Sequence, residues 1–161
     1  MHVIAAKAVS FLEAMQPEFI EYQRRLQANA KALAKTFLAN KINIVSGGTD
    51  NHLLCLDLRS LGITGKKASS LLQEVSITVN KNTIPDDPEK PFVGSGIRLG
   101  SPAVTSRGMG VAEMEIIANS ITKILKNPEN EEIKNEVKKT VEQLCRKFPL
   151  YAGLEKAMSV K

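Results

Sequence analysis

Arg98 is the residue of this sequence whose type and spacing most clearly suit chemistry. It lies in the run Gly96-Ile-Arg-Leu-Gly100, so that a glycine stands two positions away on each side. Glycines at this spacing allow a ligand or another backbone to approach the arginine closely. A planar guanidinium suits bidentate binding of a carboxylate or phosphate, and it equally suits an ion pair with a structural acid at a sheet rim. The spacing by itself leaves both interpretations open.

A polar segment with three prolines precedes this arginine. It starts at Asn80-Lys81-Asn82 and continues through Pro85, Pro88 and Pro91. Proline fixes φ and has no amide to donate, so the connection is held open and extended. Residues 79–106 are therefore predicted to form a strand, a polar loop, a second strand and the start of a helix.

Three other patterns indicate structure rather than chemistry. Gly47-Gly48 favours a tight turn over a phosphate cradle, because no helix follows to add its dipole. Thr64-Gly-Lys-Lys lacks the first glycine and the hydroxyl residue after the lysine that a nucleotide-binding loop has. His52 has no second ligand at metal spacing, so we predict a buried structural histidine and no metal site.

Composition limits the class of protein. The chain has 161 residues, of which 43% are apolar and 24% charged, which suffices for one domain with a real core. It contains no apolar run of about eighteen residues and no secretory signal pattern, so no membrane association is expected. The net charge is +5, but lysines alternate with glutamates and only 4% of residues are aromatic, which argues against nucleic-acid binding. Cys55 and Cys145 are predicted to be buried reduced thiols, which indicates a cytoplasmic protein.

The first forty residues predict two helices joined by a proline hinge. Residues 2–15 favour a helix that is apolar around most of its circumference and so needs burial on more than one side. Gln16-Pro17 breaks this helix, and Pro17 suits the first turn of the next one, over residues 18–40. Because the chain opens directly in helical sequence, we expect a fragment of a larger protein.

The remaining chain predicts an α+β fold, in which helices pack against a small, mostly antiparallel sheet. Neighbouring strands are joined by short turns, and the longer connections are helical. Strands are predicted at residues 42–46, 53–58, 77–80 and 96–101, and helices at residues 62–75, 113–126 and 131–148.

Five stretches carry a family resemblance. They are Met1-His-Val-Ile-Ala-Ala-Lys-Ala-Val, Glu13-Ala-Met-Gln-Pro-Glu-Phe, Val45-Ser-Gly-Gly-Thr-Asp-Asn-His-Leu, Ile77-Thr-Val-Asn-Lys-Asn-Thr-Ile-Pro and Ser95-Gly-Ile-Arg-Leu-Gly-Ser-Pro-Ala-Val-Thr. In these stretches the chain resembles the C-terminal part of bacterial serine hydroxymethyltransferase, a pyridoxal-phosphate enzyme of one-carbon metabolism. The resemblance implies the C-terminal domain of a fold-type I enzyme. Residues 1–16 would be an interdomain helix, residues 17–152 the small domain, and residues 153–161 a tail without a counterpart.

The resemblance also implies roles for individual residues. Arg98 would grip the α-carboxylate of serine or glycine, in agreement with its physical interpretation as a carboxylate ligand. Asn82 would contact the folate pteridine, and Lys90, Pro91 and Phe92 would form a folate-contacting segment. Relatives often have serine at the position of Lys90, which favours a backbone contact there. The implied reaction interconverts serine plus tetrahydrofolate and glycine plus 5,10-methylenetetrahydrofolate.

The family's covalent lysine for pyridoxal phosphate lies in a Thr-x-Lys-Thr context that this sequence lacks. The resemblance therefore implies that no catalytic residue lies in this chain, and that the isolated chain is inactive and binds no pyridoxal phosphate. In the intact enzyme its partners would be the large domain of the same enzyme and further copies in a dimer or tetramer. The alternative is a stand-alone, non-catalytic module that binds folate or a protein, motivated by Asn82 and the segment Lys90-Pro91-Phe92. A third option, an RNA-binding domain, rests on net charge alone.

Overall fold

The computed structural model describes residues 1–150. Its helices are α1 His2–Ala14, α2 Pro17–Ala39, α3 Gly65–Glu74, α4 Pro102–Ser106, α5 Val111–Lys126 and α6 Glu131–Lys147; its strands are β1 Asn43–Ile44, β2 Leu53–Asp57, β3 Asn80–Asn82 and β4 Gly96–Gly100. The predicted tail, residues 153–161, and the predicted domain end at residue 152 lie outside the described residues. Helices and a small antiparallel sheet confirm the predicted α+β class.

The four strands form one antiparallel sheet in the order β1-β2-β4-β3. The central strands β2 and β4 pair so that Cys55 lies opposite Arg98, and Arg98 lies opposite Asn80 on the other side. Since side chains alternate between faces, Leu54 and Leu56 point into the core while Cys55 points to the outer face. The sheet therefore has an apolar inner face and a polar outer face.

The core lies between the inner face of the sheet and helices α2, α3 and α5. Each helix buries an apolar stripe at helical spacing. The apolar pattern in the sequence of α2 also includes Phe19 and Leu38, near the two ends of the helix, but these side chains are 36% and 46% exposed. The buried stripes are Leu26, Ala30, Leu33, Ala34 and Phe37 in α2; Ala68, Leu71 and Leu72 in α3; and Met114, Ala118, Ile121, Ile124 and Leu125 in α5.

A buried polar cluster fixes the end of β4 to α2. The Asn29 amide donates to Thr105 Oγ1 at 2.9 Å and to the Met109 carbonyl at 3.0 Å. The Ser101 hydroxyl donates to the Leu26 carbonyl at 2.8 Å. Because buried polar groups are costly when unpaired, these bonds specify one position of β4 relative to the helix layer.

The third strand begins later than predicted. Residues 77–80 were expected to be extended, but β3 spans Asn80–Asn82. The amides of Ser76 and Ile77 donate to carbonyls in the last turn of α3, and Ser76 has a φ of 62°. The helix end therefore uses the amides of residues 76 and 77, and pairing with β4 starts only at Asn80.

Helix α1 is exposed along its whole length. Phe11 is 69% exposed and Ile4 is 65% exposed, so residues 1–150 do not supply the burial that this apolar helix is predicted to need. The break at Gln16 separates α1 from α2, and the first buried side chain of α2 is Leu26. Leu26 lies about 15 Å along the helix axis from the hinge, which leaves α1 beyond the core.

Two further predictions about single residues are wrong. His52 is exposed rather than buried, because it lies in the turn before β2, where its carbonyl accepts the Ser101 amide. Cys55 and Cys145 are both free thiols, but Cys55 is only half-buried and Cys145, on α6, is exposed. Among residues 1–150, no helix is both long enough and apolar enough to cross a bilayer.

Truncation of Leu56 tests the position of the core. Leu56 is fully buried in the middle of β2. Leu56→Ala removes buried methyl groups and leaves a cavity, so we expect the free energy of unfolding to fall by about 2–5 kcal/mol in urea titrations. Leu53→Ala, on the outer face of the same strand, is the matched control and should cost less than about 1 kcal/mol. Equal losses in the two variants would contradict the assignment of faces.

Glu113 makes the stability of the N-terminus of α5 depend on pH. Its carboxylate accepts the Gly110 amide at 3.0 Å and the Lys147 ammonium at 3.1 Å, and these donors, the Gly110 amide first, lower its pKa. A carboxylate with a lowered folded-state pKa stabilises the fold above its ordinary pKa near 4.5, and this contribution is lost as pH falls through the folded value.

We therefore expect Glu113→Gln to lower stability at pH 7 by about 1 kcal/mol, with the difference from the parent protein closing as pH falls from 4.5 through the lowered folded-state pKa of Glu113. Thermal unfolding at several pH values measures this difference. Glu115→Gln, an exposed neighbour on the same helix, is the control and should change little at any pH. A difference for Glu113→Gln that stays constant from pH 7 to pH 3 would refute the proposed charge effect.

Candidate substrate-binding site

Arg98 lies in the middle of the outer face of the sheet and is exposed. No acid among residues 1–150 lies within ion-pair distance of its guanidinium. The acid nearest in register, Asp57, pairs instead with Arg59 at 2.8 Å, and these Arg59 contacts lower the pKa of Asp57. The structural ion pair that the sequence left open for Arg98 is therefore not formed in the described part of the chain.

The glycines beside Arg98 make room for the protein's own backbone. A Cβ atom on Gly96 would lie 2.7 Å from the Leu56 carbonyl oxygen, and one on Gly100 would lie 2.6 Å from the His52 carbonyl oxygen. Both distances are too short for a side chain. Of the two interpretations of these glycines, close approach of another backbone is the one observed.

Arg98 borders a hollow of about 470 Å³. The turn of residues 45–51 forms a wall of the same hollow, and Cys55 also lines it. The turn predicted at Gly47-Gly48 is confirmed, and it places two consecutive residues, Ser46 and Gly47, at φ values of 62° and 72°. A small anionic ligand in this hollow would meet the guanidinium of Arg98 and the polar groups of the turn.

Side-chain bonds hold this turn in place. The Thr49 hydroxyl donates to the Leu53 carbonyl at 2.6 Å, and the Asn51 side-chain oxygen accepts the Leu53 amide at 2.8 Å. The sequence did not indicate that the turn of residues 45–51 borders a site, because Thr49 and Asn51 are ordinary turn residues. The φ of Ser46 is the signal of an unusual backbone there, and only the structure shows it.

The surroundings of Cys55 favour its protonated thiol form. Its thiol is half-buried, and burial raises its pKa, so it stays protonated at neutral pH. Its sulfur lies 3.7 Å from the Asn82 side-chain nitrogen, which also donates to the Thr83 carbonyl at 2.6 Å. Because Arg98 lies opposite Cys55, the structure brings Asn82 and Arg98 to the same part of the outer face.

The segment Lys90-Pro91-Phe92 is exposed and lies on the loop between β3 and β4. The Lys81 ammonium donates to the Phe92 carbonyl at 2.6 Å and so holds the segment beside β3. The Lys90 carbonyl accepts the amides of Val93 and Gly94. None of the three residues borders the hollow of Arg98, and the contact that holds them beside β3 is the one from Lys81.

The hollow does not fit pyridoxal phosphate as its covalent site. No lysine is among the described residues that border it, so no amine there could bind the cofactor's aldehyde. The described residues also contain no cluster of three or more metal-ligating side chains. The arrangement suits the carboxylate of a small molecule, which Arg98 can bind through two parallel hydrogen bonds.

Comparison with known proteins gives a family. The family model described as serine hydroxymethyltransferase matches residues 1–121. A serine hydroxymethyltransferase of Endomicrobium trichonymphae is 57% identical over 155 residues, which are 96% of this chain and 37% of that protein. A serine hydroxymethyltransferase of Francisella philomiragia subsp. philomiragia is 53% identical over 151 residues, which are 94% of this chain and 36% of that protein.

The chain thus spans little more than a third of the length of these curated relatives. The match nevertheless covers well over half of the chain and includes the Arg98 strand, the Asn82 strand and the turn of residues 45–51. This confirms the resemblance drawn from the five sequence stretches. The chain therefore belongs to the serine hydroxymethyltransferase family.

Proposed function

We propose that this chain is part of an enzyme that interconverts serine plus tetrahydrofolate and glycine plus 5,10-methylenetetrahydrofolate. It would supply Arg98 as the anchor for the substrate carboxylate. It would also supply part of the folate site, here called the folate wall, made of Asn82 and the segment Lys90-Pro91-Phe92. Family membership supports the reaction class. The observation that carries the proposal is the exposed Arg98 guanidinium, which borders a hollow and has no acidic partner among the described residues. A transferase acting on serine and glycine needs such a group to hold the amino acid.

Arg98 would bind the α-carboxylate of serine or glycine through its guanidinium fork. Two parallel hydrogen bonds fix the plane of the carboxylate, and this fixes the direction of the bonds at the α-carbon. Such positioning is worth on the order of several kcal/mol of the barrier. The strands on both sides of β4 hold the arginine's backbone, so the anchor sits on a rigid element.

Pyridoxal phosphate, when bound, supplies the electron sink that makes a bond at the α-carbon labile. No residue of this sequence matches the family's covalent lysine, so residues elsewhere in the complete enzyme would hold the cofactor. We therefore expect the 161-residue chain by itself not to catalyse the reaction.

Asn82 and the segment Lys90-Pro91-Phe92 would form the folate wall. The Asn82 amide can exchange hydrogen bonds with the edge of a pteridine ring. The Phe92 side chain is 62% exposed and offers an apolar ring surface, while the carbonyls of Lys90 and Phe92 already accept bonds within the chain. The Pro91 carbonyl and the Phe92 ring are thus the groups of this segment that suit a folate contact best.

The exposed apolar surface of α1 supports the proposed partners. All of its side chains are exposed, and Phe11 and Leu12 present large apolar groups. Packing against the large domain of the same enzyme would remove this surface from water. We propose a homo-oligomeric enzyme, a dimer or tetramer, in the cytoplasm, where the two free thiols would stay reduced.

The decisive test replaces Arg98 with lysine in the full-length protein. A point charge cannot reproduce the two-bond fork, so we expect serine to bind at least about 100-fold more weakly and kcat/KM to fall at least as far. Serine titration followed by the absorbance of the bound cofactor measures this. Arg24→Lys, an exposed arginine on α2, is the matched control and should leave both quantities unchanged. Near-normal serine affinity in Arg98→Lys would contradict the proposal.

Titration of the isolated chain with tetrahydrofolate separates the proposal from a stand-alone folate-binding module. One wall of a binding site contributes few contacts, so we expect a dissociation constant weaker than about 1 mM, measured by calorimetry. The presence of Asn82 and Lys90-Pro91-Phe92 in one chain is the observation that favours the module. A dissociation constant near 1 μM that is lost in Asn82→Ala would support the module instead.

A further inference from the structure

One carboxylate closes the loop between β3 and β4, residues 83–95. Asp87 Oδ2 accepts the Ile84 amide at 3.1 Å and the Ser95 amide at 2.9 Å. Asp87 Oδ1 accepts the Glu89 amide at 2.9 Å and the Ser95 hydroxyl at 2.6 Å. The four donors come from both ends of the loop, so this side chain joins its outgoing and returning arms.

The two arms differ in their other attachments. The returning arm is tied to the domain by backbone bonds: the Gly65 and Lys66 amides donate to the Gly94 and Val93 carbonyls, and the Leu58 amide donates to the Ser95 carbonyl. On the outgoing arm, Pro85 and Pro88 have no amide to donate. The described amide bonds of that arm, from Ile84 and Glu89, both end on Asp87.

The chemistry of these contacts requires a carboxylate. Four donors meet two oxygens, which is what an ionised carboxylate accepts and what an amide, with one oxygen and its own N–H donors, does not. Hydrogen bonds to the carboxylate lower the pKa of Asp87. The bond from the Ser95 hydroxyl has the largest effect, and the bonds from the amides of Glu89, Ser95 and Ile84 follow in that order. No described cation pairs with it, so hydrogen bonds and not an ion pair hold the loop.

We propose that Asp87 is a positioning residue for the folate co-substrate: by joining the two arms of the loop, it sets where Lys90-Pro91-Phe92 lies relative to Asn82. The inference rests on the proposed function. Asp87 directs its carboxylate into the loop, where its partners are loop amides and a loop hydroxyl, and it acts on the ligand only through the segment it holds. The Lys81 bond to the Phe92 carbonyl then attaches the closed loop to β3.

The test replaces Asp87 with asparagine in the full-length protein. We expect the KM for tetrahydrofolate to rise about tenfold while the dissociation constant for serine, measured without folate, changes less than about twofold. Asp86→Asn is a closely matched control: it makes the same substitution one position earlier, at an exposed residue with a φ of 51° that asparagine adopts readily. It should leave both quantities unchanged.

Ser95→Ala is the milder variant in case Asp87→Asn folds poorly. It removes the 2.6 Å hydroxyl contact and keeps the carboxylate and the backbone donors, so the same KM should rise about threefold. Amide hydrogen exchange reports the loop independently of catalysis. Exchange at Glu89 and Ser95 should accelerate at least about tenfold in Asp87→Asn and stay unchanged in Asp86→Asn.

The outcomes separate this inference from the proposed function. An unchanged folate KM in a variant whose loop amides exchange faster would overturn the role of Asp87, and so would equal losses of serine and folate binding. Asn82→Ala serves as the reference for folate binding. If the Asn82 and Asp87 variants both keep normal folate KM values, the folate wall itself is misassigned; if only the Asp87 variant does, the wall stands and the positioning role fails.

Discussion

The hydrogen-bonded register between β2 and β4 is the constraint on which the rest of the site depends. It places Cys55 opposite Arg98 on the outer face and leaves Leu56 and Ile97 facing the helices. A shift of one residue would exchange the faces, burying a guanidinium and exposing two large apolar side chains. The burial of Leu56 and Ile97 therefore does two things at once, since it stabilises the core and directs Arg98 outward.

Two kinds of contact keep that register in place. On one side, the absence of side chains at Gly96 and Gly100 allows the carbonyls of Leu56 and His52 to approach β4. On the other, Ser101 at the end of β4 donates to the Leu26 carbonyl and ties the strand to α2. The arginine thus stands on a strand fixed along its length, which suits a group that must hold a ligand in one orientation.

The two halves of the candidate site are built differently. Arg98 lies on paired strands, whereas the segment Lys90-Pro91-Phe92 lies on a loop whose prolines have no amide to donate to a β-ladder. A side-chain acceptor, Asp87, takes the place of backbone pairing there. Because its carboxylate accepts hydrogen bonds from loop amides, Asp87 gives the loop a defined position without pairing to another strand. Because of this difference, mutations can test the proposed amino-acid contact and the proposed folate contact separately.

The sequence by itself determined the helices, the two central strands and the α+β class, because hydrophobic periodicity, proline and glycine act through near neighbours. It also drew attention to Arg98 between two glycines, and five of its stretches carried the resemblance that gave the family. It misplaced β3, since the amides of residues 76 and 77 donate to carbonyls of α3, and it buried His52, whose surroundings periodicity does not report. Only the tertiary structure decided that Asp57 pairs with Arg59, that Arg98 has no ion-pair partner among residues 1–150, and that Asp87 accepts hydrogen bonds from Ser95. Asp57 and Arg59 are two residues apart and Asp87 and Ser95 eight, so these pairs depend on how the folded backbone directs each side chain, and residue type and spacing along the sequence do not encode that.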